Sequence, residues 1–251
     1  MIELRALRKV FSGPQGEDVV AVDDVDLVVS EGETVCLIGT SGSGKTTTMK
    51  MINRLIEPTS GEVRVGGTKV TELDVIRLRR QIGYVIQKGG LFPHMTVAEN
   101  IGLMNKLEGW EAQKTKQRVE ELMHLVNLPP EEFFHRYPDE ISGGQRQRVG
   151  VARSLALDPA YILMDEPFGA LDPITREQIH DEFAQLKREV KKTIVLVTHD
   201  LSEAVKLGDK IALMDFGKLI QFGPPEDFLE RPANDFVRDF FRSHLEGGAH
   251  V

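Results

Sequence analysis

The run Gly39-Thr40-Ser41-Gly42-Ser43-Gly44-Lys45-Thr46-Thr47 sets a lysine and a hydroxyl directly behind a glycine-spaced turn. Glycines let successive backbone N–H groups point inward, because a Cβ would block the close approach of a polyphosphate. Lys45 supplies a fixed positive charge for β- and γ-phosphates, and the Thr46 hydroxyl is suited to ligate Mg²⁺. An apolar, strand-like run, Thr34-Val35-Cys36-Leu37-Ile38, precedes the turn, and a helix-like run from Thr48 to Ile56 follows it. Strand, glycine turn and helix N-terminus together make a phosphate cradle.

Three further apolar runs end in polar side chains. Tyr161-Ile162-Leu163-Met164 ends in Asp165-Glu166, Thr193 to Val197 ends in Thr198-His199-Asp200, and Ile82 to Ile86 ends in Gln87. Open α/β sheets place their sites at such carboxyl ends of strands. Asp165 can hold Mg²⁺ directly or through water, and Glu166, facing a terminal phosphate, can accept a proton from an attacking water. A solvated acidic turn is the plain alternative, but an apolar strand ending in an acid is the expected partner of a phosphate loop. His199 reads either as a structural strand-end histidine or as a group that reaches the γ-phosphate and orients the water. Gln87 reads either as a capping residue or as a contact to Mg²⁺ or to that water. Three strand ends with groups suited to one site weigh toward the chemical reading.

Ile141-Ser142-Gly143-Gly144-Gln145 opens a second anion-binding helix, with Ser142 as N-cap and its hydroxyl and the glycine N–H groups free to face a phosphate. One phosphate loop has no evident use for two such devices in one chain. Two copies arranged head to tail would, each laying Ser142-Gly143-Gly144-Gln145 over the nucleotide held by the other.

The elements that must position these residues read as an α/β chain. Ile2 to Val10 and Val19 to Val29 are β-rich, separated by the turn-prone Ser12-Gly13-Pro14-Gln15-Gly16, and Phe11 reads from position alone as a core or edge aromatic. Met49, Ile52 and Leu55 or Ile56 share one face of the helix after the phosphate loop, which Pro58 and Gly61 terminate. Short strands are expected at Glu62 to Val65 and Ile82 to Ile86, with a helical turn or two over Asp74 to Arg80. Helical pattern runs from Thr96 to about Asn127, with Thr96 and Glu99 forming a capping box, and Pro129-Pro130 breaks it. Residues ~88 to ~158 therefore read as a helical insertion between strands of an α/β core. A charged helix over Ile174 to Val190 and a β pair, Ile211 to Met214 and Lys218 to Gln221 around Asp215-Phe216-Gly217, complete the order. Apolar strands without alternation, spaced by helices, indicate a parallel sheet covered on both faces.

Composition bounds the rest. With 251 residues the chain can bury one full core, and its net charge of −8 argues against a nucleic-acid-coating surface. No apolar segment approaches the ~18 residues needed to span a bilayer, and Met1 to Val10 has no signal-peptide apolar region. The expectation is a soluble or peripheral protein. Cys36, the one cysteine, reads as a buried hydrophobe suited to a reducing cytoplasm.

Taken together, Gly39 to Thr46, Gln87, Ile141 to Gln145, Asp165-Glu166 and His199 resemble, in order and spacing, the ATP-binding subunit of ABC transporters. The resemblance covers nearly the whole chain. It implies an α/β P-loop NTPase fold, with a RecA-like parallel sheet core and an antiparallel β lobe carrying an inserted helical subdomain. It implies a single ATPase domain over 1–251, with 1–87 and 159–251 as nucleotide-binding core and 88–158 as helical subdomain. By the same resemblance Gly39 to Thr46 is the Walker A loop, Gln87 the Q-loop, Ile141 to Gln145 the signature motif and Tyr161 to Asp165 Walker B. Glu166 becomes the general base, Gly169-Ala170-Leu171-Asp172 the D-loop, His199 the switch histidine and Phe11 the aromatic that stacks on adenine. Ile141, Gly169 and Phe11 replace the usual Leu, Ser and Tyr, and none of these changes removes a group needed for hydrolysis. The ligands implied are ATP and Mg²⁺, the latter held by Thr46, Gln87 and Asp165.

A closer resemblance, carried by Gly39 to Lys45, Met51-Ile52-Asn53-Arg54-Leu55, Gly90-Leu91-Phe92-Pro93-His94 and Pro232 to Val237, is to osmoprotectant importers of glycine betaine, carnitine or choline. It implies an ATP-dependent homodimer on the cytoplasmic face of the inner membrane. Its partners would be integral permease subunits and, indirectly, an extracytoplasmic solute-binding protein. Polyamine, amino-acid and other small-solute importers share most of these motifs, and a soluble ABC ATPase outside transport is the rival class. Some longer relatives carry regulatory tandem domains, and none is expected within 1–251. Phe236, Val237, Phe240 and Phe241 are expected to form an apolar helix face packed on the chain's own core.

Overall fold

The computed structural model describes residues 1–13, 16–87 and 90–246, so Pro14, Gln15, Lys88 and Gly89 of the predicted turns lie outside the described residues. In chain order the elements are β1 (Ile2–Ser12), β2 (Asp18–Val29), β3 (Thr34–Gly39), α1 (Lys45–Ile52), β4 (Ser60–Val65), β5 (Thr68–Lys69), α2 (Val75–Arg80) and β6 (Ile82–Val85). Then follow α3 (Val97–Leu107), α4 (Ala112–Leu125), α5 (Pro130–Phe133), α6 (Gly143–Ser154), β7 (Tyr161–Asp165) and α7 (Pro173–Val190). The chain closes with β8 (Thr193–Val197), α8 (Leu201–Leu207), β9 (Lys210–Asp215), β10 (Lys218–Gly223), α9 (Pro225–Glu230) and α10 (Asp235–Glu246). Packing divides them into two compact units, Met1–Arg79 with the chain from Thr193 onward, and Arg80–Lys192.

The first unit holds two sheets. One is antiparallel, in the order β2-β1-β4-β5. Its register sets Ile2 opposite both Val29 and Val65, and Leu4 opposite both Leu27 and Val63, so alternate residues of each strand enter one core. The other runs β10-β9-β3-β8, with β3 parallel to β8 and β9 and β10 antiparallel at the edge. All six residues of β3 and all five of β8 are buried, as parallel strands covered on both faces require. Cys36 is fully buried in β3, as expected of a small hydrophobe.

Two sequence expectations need correcting here. The helix after the glycine turn starts at Lys45 and ends at Ile52, where Asn53 accepts from the Leu55 amide at 3.2 Å and Arg54 turns left-handed. Leu55 consequently leaves the apolar face and stands 48% exposed. The C-terminal expectation holds in part: Val237 and Phe241 are buried, with Phe241 stacked on Phe228 at 4.8 Å, whereas Phe236 and Phe240 are half-buried.

The second unit pairs β6 with β7 in parallel and packs helices α3, α4, α6 and α7 beside them. The predicted capping box is present: Thr96 Oγ1 accepts from the Glu99 amide and Glu99 Oε2 accepts from the Thr96 amide. The single helical run expected from Thr96 to Asn127 is two helices. Gly109, at φ +73°, takes the left-handed position past α3, and its amide and that of Trp110 return to Lys106 and Asn105 carbonyls. Pro130 opens the short α5 and does not simply break structure, since proline suits the first helical position.

Candidate functional site

In the first unit, β3 delivers Gly39 at φ +141°, where an added Cβ would run into the Met214 carbonyl. Gly44 caps α1 at φ +98°, with the Ala21 carbonyl against the place a Cβ would fill. Glycine is needed at both positions, for conformation and for space. Between them the loop closes with the Ser43 amide donating to the Thr40 carbonyl at 3.2 Å.

Lys45 is the first residue of α1 and only 8% exposed. Its Nζ folds back over the loop, donating to the Gly39 carbonyl at 2.9 Å, the Thr40 carbonyl at 2.8 Å and Ser43 Oγ at 3.3 Å. Two carbonyls and a hydroxyl thus hold the ammonium over the loop at the mouth of the cradle. Thr46 and Thr47 follow on the same helix turn, both half-buried.

Register places other predicted residues at this end of the sheet. Leu37 pairs with Val197 and the Thr198 amide donates to the Leu37 carbonyl, so His199 leaves β8 level with Gly39. The imidazole is exposed, between a buried Thr198 that donates to Glu203 and an Asp200 that caps α8. Phe11, next to the last residue of β1, pairs with Val19 of β2 and is 41% exposed, and Lys9 Nζ lies 4.9 Å from its ring centre. One face of that ring therefore already meets a cation.

In the second unit, Asp165 ends β7 at 8% exposure and Glu166 follows at φ +43°. Gln87 Nε2 donates to Glu166 Oε2 at 2.7 Å, bringing two of the predicted residues into direct contact. Tyr84, on β6, has its phenol pushed up to about 12 by burial and then by the negative charge of Asp165.

Ser142 caps α6, its Oγ accepting from the Gln145 amide at 3.2 Å while Gln145 Oε1 accepts from the Ser142 amide at 2.8 Å. The predicted cap is present, and it is a reciprocal capping box that the sequence reading did not anticipate. Gly144 faces α7, where an added Cβ would stand 2.9 Å from Thr175 and 3.1 Å from Ile179; Gly143 has no such crowding. Asp172 caps α7 by accepting from the Thr175 amide at 3.0 Å, and this bond holds its carboxyl below the usual range.

Among the described residues no cluster of three His, Cys, Asp or Glu is placed to hold a metal ion. The donors predicted for Mg²⁺, the Thr46 hydroxyl, the Gln87 amide oxygen and the Asp165 carboxylate, are all hard oxygens with a single acid. That set fits an ion that keeps waters and takes phosphate oxygens, and does not fit zinc.

A contact remote in sequence escaped the sequence reading: Asp215, the last residue of β9, accepts from Thr40 Oγ1 at 2.9 Å. Its only signal was a turn-forming Asp-x-Gly, which names a hairpin and not its target.

Residues 22–169 match the family model for ABC transporter. The glycine betaine/carnitine/choline transport ATP-binding protein OpuCA of Bacillus subtilis is 53% identical over 240 residues, 96% of this chain and 62% of its own length. The osmoprotectant import ATP-binding protein OsmV of Salmonella typhimurium is 52% identical, covering 96% of this chain and 63% of its own length. The glycine betaine uptake system ATP-binding protein YehX of Escherichia coli is 51% identical, over 98% of this chain and 78% of its own. The chain thus spans about three fifths of the first two. Among solved structures, the dimeric post-hydrolysis state of the ATP-binding cassette MJ0796 bound to ADP and Pi matches at TM-score 0.79 and 34% identity, over 90% of this chain and 99% of that one. An α/β fold with parallel and antiparallel sheets, a glycine loop closed by Lys45 and a capped Ser142-Gly143-Gly144-Gln145 helix agree with that match: the chain belongs to the ABC transporter family.

Proposed function

We propose that this chain is the ATP-hydrolysing subunit of an importer for a small solute, of the quaternary-amine osmoprotectant class. The observation that carries the reading is the glycine loop closed over by Lys45, whose nearly buried ammonium is held by carbonyl and hydroxyl oxygens. A triphosphate entering the cradle meets the loop amides from Gly39 to Thr47 and exchanges those neutral acceptors for phosphate oxygens on Lys45. The names of the relatives at 51–53% identity support the import role and the solute class.

Roles follow from the chemistry of each group. Phe11 stacks on adenine. Thr46, Gln87 and Asp165 hold Mg²⁺, which when bound neutralises charge on the phosphate oxygens. Glu166 takes a proton from water onto its carboxylate, Gln87 orients that carboxylate through its amide, and His199 donates toward the terminal phosphate. Ser142-Gly143-Gly144-Gln145 and Asp172 act on the nucleotide of a second copy, which makes the active form an ATP-dependent homodimer. That form works peripherally at the cytoplasmic face of the membrane, on permease subunits that receive solute from an extracytoplasmic binding protein. The helical stretch 88–158 presents the permease-docking surface. No nucleic-acid partner is required.

The deciding experiment has two stages. The purified chain should release phosphate from ATP in a Mg²⁺-dependent manner, and Lys45→Ala should abolish it. Reconstituted with its permease in vesicles, hydrolysis should then rise with glycine betaine, carnitine or choline and not with polyamines or amino acids. Stimulation by the latter would reassign the solute; no hydrolysis at either stage would overturn the ATPase reading.

A further inference from the structure

The end of β9 and the turn into β10 touch the phosphate loop at three points. Met214 pairs with Gly39 and sets its carbonyl where a Cβ of that glycine would stand. Asp215 Oδ1 accepts from Thr40 Oγ1 at 2.9 Å. The Gly217 amide donates to the Ser43 carbonyl at 3.2 Å, and the Gly217 carbonyl accepts from the Asp23 amide of β2 at 2.8 Å. The turn is therefore anchored on one side to β2 and on the other to the loop.

Thr40 is the residue through which this bracing reaches the chemistry. Its side chain is held by Asp215 while its carbonyl accepts from Lys45 Nζ at 2.8 Å. Fixing the side chain limits rotation of that peptide, and so fixes where the ammonium rests. A carboxylate beside a loop that receives a polyphosphate carries a Coulomb penalty, since like charges repel. Its placement there calls for an offsetting benefit, and the Thr40 bond provides one.

We propose that Asp215 is a positioning residue for nucleotide binding, acting through Thr40 to hold the phosphate loop in its receptive form. This rests on the nucleotide-binding reading above and deepens it. Hydrogen bonding, and not charge, is the working part of Asp215, so the bond and the repulsion are separable.

The test is a double-mutant cycle on the full chain, read by calorimetric titration with MgADP and MgATP and by KM and kcat for hydrolysis. Thr40→Val and Asp215→Ala should each weaken nucleotide binding about 5- to 10-fold, the scale of one hydrogen bond, and the double variant should be no weaker than either alone. The loss should appear in KM with kcat little changed. Asp215→Asn keeps the acceptor oxygen and removes the charge, so it should bind at least as tightly as the unaltered chain. Additive losses, an Asp215→Asn as weak as Asp215→Ala, or lowered melting temperature with unchanged affinity would each overturn the proposal. Failure of the unaltered chain to bind nucleotide would instead overturn the ATPase reading together with it.

Discussion

Gln87 Nε2 and Glu166 Oε2 stand 2.7 Å apart, so the amide at the end of β6 is bonded to the carboxylate at the end of β7. Parallel pairing of Val85 with Met164 brings the two strand ends level, and the left-handed backbone at Glu166 turns its side chain out of the strand. A left-handed non-glycine residue is costly and persists where surrounding structure enforces it. Glu166→Gln preserves an oxygen for the Gln87 amide while removing the base. Nucleotide binding should remain and phosphate release should fall by about 10²- to 10⁴-fold. Gln87→Ala removes that orientation and one neutral Mg²⁺ donor but leaves the base in place, so its loss should stay smaller. Parallel binding and phosphate-release assays check both, and a greater loss at Gln87 would move the base away from Glu166.

The paired glycines at the start of α6 do different work. Alanine at Gly144 would press its Cβ against Thr175 and Ile179 of α7, whereas at Gly143 the nearest neighbour is Leu171 at an ordinary 3.5 Å. Gly144→Ala should therefore destabilise the fold by about 1–3 kcal/mol through overpacking. Gly143→Ala should be neutral or stabilise by up to about 1 kcal/mol, because a helical glycine is replaced. Denaturant midpoints at constant slope separate the two, and equal effects would mean that α6 and α7 do not meet closely in solution.

Much of this was legible in the residues, for reasons that differ by element. The apolar runs of β3, β7 and β8 could be placed because uninterrupted burial leaves an uninterrupted apolar pattern, and their polar ends followed directly. Thr96 and Glu99 announced their capping box because its partners lie three residues apart. The break after α3 was hidden because Gly109 and Trp110 interrupt the helix without proline or a change in polarity. Contacts between remote residues were not legible: nothing local to Thr40 names Asp215, and nothing local to Gln87 names Glu166. Phe11 carries no sign of the Lys9 ammonium over its ring, since that contact depends on where Lys9 is drawn by the Glu57 carbonyl.

Tyr84 gives the region around Asp165 a pH signature. Burial comes first and the Asp165 charge second in lifting its phenol to about 12. An unfolded tyrosine ionises near about 10, so above that pH the unfolded chain binds fewer protons than the folded one. The contribution is whole below about pH 10 and is lost as pH rises toward about 12. Tyr84→Phe should flatten this alkaline decline and remove a late step from the ultraviolet tyrosinate titration. Asp165→Asn should move that step only part of the way down, because burial remains. An unaltered titration in Tyr84→Phe would refute the assignment.

Phe216 occupies a position that suits neither its backbone nor its ring. Lys218 pairs with Asp215, leaving Phe216 and Gly217 as a two-residue turn with φ of +42° and +80°. Two positive φ values mark the turn type that favours Asn-Gly, because it matches the twist of the paired strands. Phenylalanine in the left-handed region costs about 1–2 kcal/mol, and at 87% exposure the ring recovers almost nothing by burial. Phe216→Asn should therefore stabilise the chain by about 1 kcal/mol, and Phe216→Val, which adds branching at Cβ, should destabilise it. Because Asp215 and Gly217 on either side both hold the phosphate loop, stiffening the turn should leave those two bonds in place. Urea midpoints of the two variants against the unaltered chain decide the matter: a less stable Phe216→Asn would show that the exposed ring makes a stabilising contact in solution that outweighs its backbone strain.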